Sequence, residues 1–139
     1  MTESRNPAVA ALLLRVSLGT MFVAHALLKY FVFTLSGTAQ FFESLGLPGA
    51  LGYATFAAEL IGGVLLIAGV QVRAVALALV PVLIGATWAH AGNGWLFTSP
   101  KGGWEYPAFW TVTLVVQALL GEGAFALRSS GRPSALQTA

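Results

Sequence analysis

Four apolar stretches, residues 8–33, 50–70, 74–97 and 106–127, take up most of this 139-residue chain. Each holds roughly the 20 apolar residues that a helix needs to cross a hydrocarbon core of about 30 Å. A chain built this way cannot coat itself with polar surface. Only 9% of its residues are charged, against about 25% in a soluble domain. The expected fold is therefore all-α, an integral membrane bundle of four helices in one domain over residues 8–127, with tails at 1–7 and 128–139.

The connections between the stretches carry their own signals. Residues 34–48 form an outer loop, and Phe41, Phe42, Leu45 and Leu47 predict a short segment lying on the membrane surface or capping the bundle. Gly46-Leu47-Pro48-Gly49 reads as a turn. A tight turn at 71–73 separates the second and third stretches, and Pro81 is expected to kink the third. Residues 98–105 form a second outer loop, next to which Trp95, Trp104, Tyr106 and Trp110 gather like an aromatic belt. Ala54, Ala58 and Gly62 recur at four-residue spacing, the pattern of a small-residue packing stripe, and on this ground a homodimer is expected.

Arg5, Arg73, Arg128 and Arg132 lie on one side of this arrangement, against Lys101 on the other. By the positive-inside rule both termini are cytoplasmic. Ala24-His25-Ala26 has the shape of a signal-peptide cleavage site, but Arg15 interrupts the apolar run before it, so the first stretch is expected to be retained. The net charge of +2 does not form a basic stripe, which excludes a nucleic-acid partner. With no cysteine, the chain excludes disulfides, thiolate catalysis and Cys-ligated clusters.

The charged and titratable residues inside the apolar stretches are the candidate functional groups. A charge at mid-bilayer costs roughly 2.5–3.5 kcal/mol on insertion scales, so these residues face the bundle interior and find partners. Arg15, His25 and Lys29 share one helical face. Counted by helical rise, His25, Glu59 and His90 fall at similar depth in the outer half, with Lys29, Glu105 and Tyr106 above them. Arg15 and Glu122 fall near the cytoplasmic boundary and form a candidate structural ion pair. The outer cluster supports either a ligand or proton site or an interhelical salt-bridge network. Two histidines at matched depth also leave haem open as a weaker reading, and they make no metal site on their own. Ala24-His25-Ala26 and Ala89-His90-Ala91 form an internal echo that would make the chain two parallel helical hairpins. No nucleophile with its base and no phosphate-binding glycine loop is present.

This ordered set of residues resembles the DoxX family. The resemblance rests on Arg15, Gly19, Phe22, His25 and Lys29; on AELIGGVLLIAGVQVR with Glu59, Gly62, Gly63 and Arg73; and on His90, Gly94, Gly102, Gly103, Glu105 and Tyr106. It implies a small four-helix protein of a bacterial or archaeal plasma membrane. The family takes its name from a thiosulfate:quinone oxidoreductase, so the resemblance also implies a quinone-interacting membrane subunit of an electron-transfer system with a redox protein partner. Ala26 stands where many members have glycine, and Glu122 replaces a usual proline, so no family role transfers to Glu122. On this reading His25, Lys29, Glu59, His90, Glu105 and Tyr106 bind the ligand, with the four tryptophans flanking a planar ring. The alternatives are a membrane anchor or assembly partner, and a small-molecule or proton pathway.

Overall fold

The computed structural model of the protein describes residues 5–128. Five helices follow one another: α1 (Arg5–Phe31), α2 (Leu35–Ser44), α3 (Ala50–Ala68), α4 (Val72–His90) and α5 (Glu105–Leu120), with a 3-10 turn at Ala91–Asn93 after α4. No strand forms among the described residues, apart from a single bridge between Val70 and Arg128. The tail positions 1–4 and 129–139, which include Arg132, lie outside the described residues.

Three helices are long and apolar enough to cross a membrane: Arg5–Phe31, Ala50–Ala68 and the unit Val72–Asn93. The expected fourth span is shorter than the sequence implied. α5 ends at Leu120, about 24 Å from its start at 1.5 Å per residue. Gly121 and Gly123, with φ of 83° and 72°, turn the chain out of helical geometry, and this backbone region suits glycine. Residues 121–128 then run back under the bundle. There the Ala124 N–H donates to Ala8 O at 2.9 Å and the Arg128 N–H to Gly69 O at 3.1 Å. The third span likewise stops early, at Asn93, before Gly94 at φ 91°.

The outer loop at 34–48 contains a complete helix, α2. Its start is capped by the Thr34 hydroxyl, which accepts from the Gly37 N–H at 3.1 Å. α2 packs on α3, where Gly52 lets its backbone approach: a Cβ there would stand 3.1–3.2 Å from backbone atoms of Thr38 and Ala39.

α1 pairs chiefly with α3, and α4 with α5, while α3 joins the two pairs through α4. Two adjacent glycines make these contacts in different directions. A Cβ on Gly63 would meet Gly19 O of α1 at 2.8 Å, whereas a Cβ on Gly62 would meet Leu79 of α4 at 2.8 Å. The small-residue stripe is thus used within the chain. Gly62 is buried, Ala58 packs against the core and Ala54 is exposed.

The core gathers Leu18 and Phe22 of α1, Leu66 of α3, Leu79 and Leu83 of α4, and Trp110 and Leu114 of α5. The outward face is just as apolar: Leu13, Ile61, Leu77, Phe109 and Leu119 are all more than half exposed. In water such a surface would drive aggregation; facing lipid it is matched to its solvent, and the helices satisfy their own backbone groups.

Candidate functional site: a polar cavity between four helices

At the end of the bundle beneath the 94–104 loop, α1, α3, α4 and α5 surround a cavity of about 400 Å³. α1 contributes His25 and Lys29, one helical turn apart, and α3 contributes Glu59. His90 enters from the last turn of α4, above Leu83 and Ala86, while Tyr106, Pro107 and Trp110 come from the first turns of α5. Phe97, Gly102 and Gly103 complete the wall from the loop.

Lys29 Nζ donates to Glu59 Oε2 at 2.7 Å, which ties α1 to α3. The Glu59 side chain is only 6% exposed and that of Lys29 17%, so the pair is largely desolvated. Truncating one partner would leave an uncompensated charge.

The two histidines share one local geometry. His25 Nδ1 lies 2.8 Å from Met21 O, and His90 Nδ1 lies 2.8 Å from Ala86 O. Each ring is thereby pinned to the carbonyl four residues back on its own helix. The echo between Ala24-His25-Ala26 and Ala89-His90-Ala91 therefore has a structural counterpart. His25 also packs on the aromatic wall, with ring centroids 4.8 Å from Trp110 and 6.2 Å from Tyr106. Trp110 in turn packs on Phe22 at 4.6 Å, and its Nε1 is buried without a hydrogen-bond partner among the described residues.

The loop over the cavity is held by its own hydrogen bonds. Asn93 Nδ2 donates to Gly102 O at 2.9 Å, and the Trp104 N–H donates to Gly94 O at 3.1 Å. Gly103 lies directly against the carbonyls of Trp95 and Leu96, where no Cβ would fit.

Of the candidate ligand-binding residues, His25, Lys29, Glu59, His90 and Tyr106 line this one cavity. Glu105 does not. Its Oε1 accepts from the Phe97 N–H at 2.8 Å and staples the loop to the start of α5. Among the tryptophans, Trp110 alone lines the cavity, whereas Trp88 and Trp104 line a separate apolar groove on the outer face of α4 and α5. Trp95 stacks edge-on against Trp104 at 4.5 Å. Asn93 and Phe97 stand outside the candidate set, although the Asn93-Gly94 pair after an apolar run is a legible turn signal.

At the opposite end of the bundle, Arg15 is held by backbone carbonyls. Arg15 is 1% exposed. Its Nη1 donates to Leu66 O at 3.2 Å and Ile67 O at 2.9 Å, and its Nη2 to Ala124 O at 2.9 Å. The guanidinium thus sits on the carbonyl end of α3, the negative pole of the helix dipole. Gly69, at φ 75°, leaves the space that the guanidinium occupies. Glu122 lies beyond α5 in the returning segment, and its charge acts on Arg15 over the same region.

The DoxX family model matches residues 10–92, from α1 through the turn after α4. A protein of Bacillus subtilis (strain 168) named "Putative oxidoreductase CatD" is 45% identical over 78 residues, covering 56% of this chain and 57% of its own length. The matched region thus spans little more than half of that relative. No solved structure matches the chain. The matched residues include His25, Lys29, Glu59 and His90, with α1, α3 and α4 in sequence around them, and the chain belongs to the DoxX family of membrane proteins.

Proposed function

We propose that the chain is a membrane subunit of an oxidoreductase system and that its polar cavity holds the head group of a quinone–quinol couple. The observation that carries this reading is the convergence of Lys29, Glu59, His25 and His90 on one cavity of about 400 Å³ inside an apolar bundle. That volume falls at the small end of the roughly 300–1,000 Å³ typical of ligand sites, a size suited to a single ring. The groups also suit the ligand. Each oxygen of the head group needs hydrogen-bond partners and exchanges a proton on redox turnover. Lys29 has N–H donors beyond the one given to Glu59, Tyr106 offers a hydroxyl, and the imidazoles can accept or release protons. The oxidoreductase name of the Bacillus relative supports the redox class.

The same reading takes α5 as a fourth crossing in a bacterial or archaeal plasma membrane, both termini in the cytoplasm, and the cavity opening toward the outer leaflet. Electrons pass to or from a redox protein partner. Haem fits this cavity less well than one ring does, since the Lys29–Glu59 pair and Tyr106 occupy its wall alongside the histidines.

The test is binding of a quinone analogue to the purified protein. Glu59→Gln and His25→Ala should each weaken it roughly tenfold or more, the loss expected when a buried polar contact is removed. Glu122→Gln should lower detergent stability and leave binding intact. Equal binding by all three variants, or none by the wild type, would favour an anchoring role in which Lys29–Glu59 only fixes α1 against α3.

A further inference from the structure

A backbone carbonyl can only accept a hydrogen bond. The 2.8 Å contacts of His25 Nδ1 with Met21 O and of His90 Nδ1 with Ala86 O therefore put the ring proton on Nδ1 in both residues. In a neutral imidazole the other nitrogen is then bare. Nε2 lies across the ring from Nδ1, turned away from the helix that each ring is pinned to, and both rings line the cavity. The edge of His90 that carries Nε2 faces Gly102 in the cavity wall, where a Cβ would stand 4.0 Å from that nitrogen. Among the described residues neither Nε2 has a hydrogen-bond partner. Turning either ring to the opposite tautomer would give up the bond to the helix and set a lone pair against the carbonyl oxygen, so the helices themselves hold the two acceptors in place.

We infer that the cavity selects the reduced, dihydroxy form of its aromatic ligand over the oxidised quinone, because His25 and His90 present two tautomer-fixed acceptors to it. The inference rests on the head-group reading above and assigns its polarity. A quinone oxygen only accepts, so against a bare Nε2 it meets a second lone pair. A hydroquinone hydroxyl donates to Nε2 and still accepts from Lys29 or Tyr106 on its other side. Glu59 Oε1, which is not the oxygen bonded to Lys29, adds a third acceptor.

Two measurements on the purified full chain test this. The first compares affinities for a decyl-benzoquinone and its hydroquinone under anaerobic conditions in weakly alkaline buffer, where free imidazole is neutral. The shared tail cancels, and the hydroquinone should bind roughly tenfold or more tighter, since two hydrogen bonds differ at about 1 kcal/mol each. In His90→Gln, whose amide can turn to donate or accept, the preference should narrow while hydroquinone binding persists. Equal affinity, or tighter binding of the quinone, would overturn the inference and leave the head-group reading standing. Binding of neither form would overturn both. The second measurement does not depend on ligand or variant. The chain has two histidines, so ¹⁵N NMR of histidine-labelled protein should show two rings protonated at Nδ1 and bare at Nε2. Rings protonated at Nε2, whether alone or together with Nδ1, would overturn the inference.

Discussion

An ammonium and a carboxylate 2.7 Å apart between α1 and α3 are each other's compensation in a region that offers little water. Lys29→Met alone would strand the Glu59 carboxylate, at a cost of about 3 kcal/mol, the lower end of the range for breaking a buried pair. Replacing both partners, as in Lys29→Met with Glu59→Leu, should recover most of that loss, because two matched apolar side chains leave no charge unpaired. Unfolding free energies of the two single variants and the double variant in one detergent would measure the coupling. A double variant as unstable as the sum of the singles would show that the pair contributes no mutual stabilisation. Arg15 solves its own burial differently, by placing its guanidinium on carbonyls at the end of α3. A lysine there would keep the charge but lose the planar fork that reaches Leu66, Ile67 and Ala124 at once.

Between elements, the tightest approach is that of α1 to α3 at Gly19 and Gly63. Lipid-facing helices gain little from the hydrophobic effect against each other, so close van der Waals packing has to supply the association. A methyl at position 63 would meet Gly19 O and the Val23 side chain, each at 2.8 Å. Gly63→Ala should therefore destabilise the bundle by about 1–3 kcal/mol, the range for overpacking a filled contact. Gly85→Ala in α4 is the matched control, since a Cβ there meets nothing within 4 Å. It should be neutral or stabilising by up to about 1 kcal/mol through helix propensity. Thermal unfolding in detergent reads both, and a Gly85→Ala loss as large as that of Gly63→Ala would show that the cost is not local to the crossing. The geometry also bears on the site: sliding α1 along α3 would part Lys29 from Glu59.

Across the whole molecule, the basic residues place Arg5, Arg73 and Arg128 at one end and Lys101 at the other. The cavity lies at the end that carries Lys101, because His90 and Tyr106 flank the loop that contains it. If arginine-rich segments are retained in the cytoplasm, the cavity opens on the outer side. The chain has no cysteine, so a single Lys101→Cys substitution gives one labelling site. A membrane-impermeant thiol reagent should reach it from outside intact cells. Labelling only after the cytoplasmic face is opened would reverse the orientation and place the cavity on the inner leaflet.

The apolar stretches, the turn glycines and the lack of surface charge determined from sequence alone that the chain is a helical membrane protein, because lipid admits so few ways of satisfying the backbone. The charged positions were legible for the same reason: an ionisable group inside an apolar run must face inward and find a partner. Helical rise was enough to put His25, Glu59 and His90 at one depth. Azimuth was not legible, because which side of a helix meets which neighbour depends on packing. Tertiary structure alone decided that Lys29 is the partner of Glu59, that Glu105 holds the loop and stays out of the cavity, and that Trp110 lines the wall while Trp88 faces outward. It also decided that α5 stops at Leu120 and that Arg15 answers to the carbonyl end of α3 as well as to the charge of Glu122. Sequence spacing measures distance along a helix axis; the contacts between helices are set by where small residues let the backbones come together.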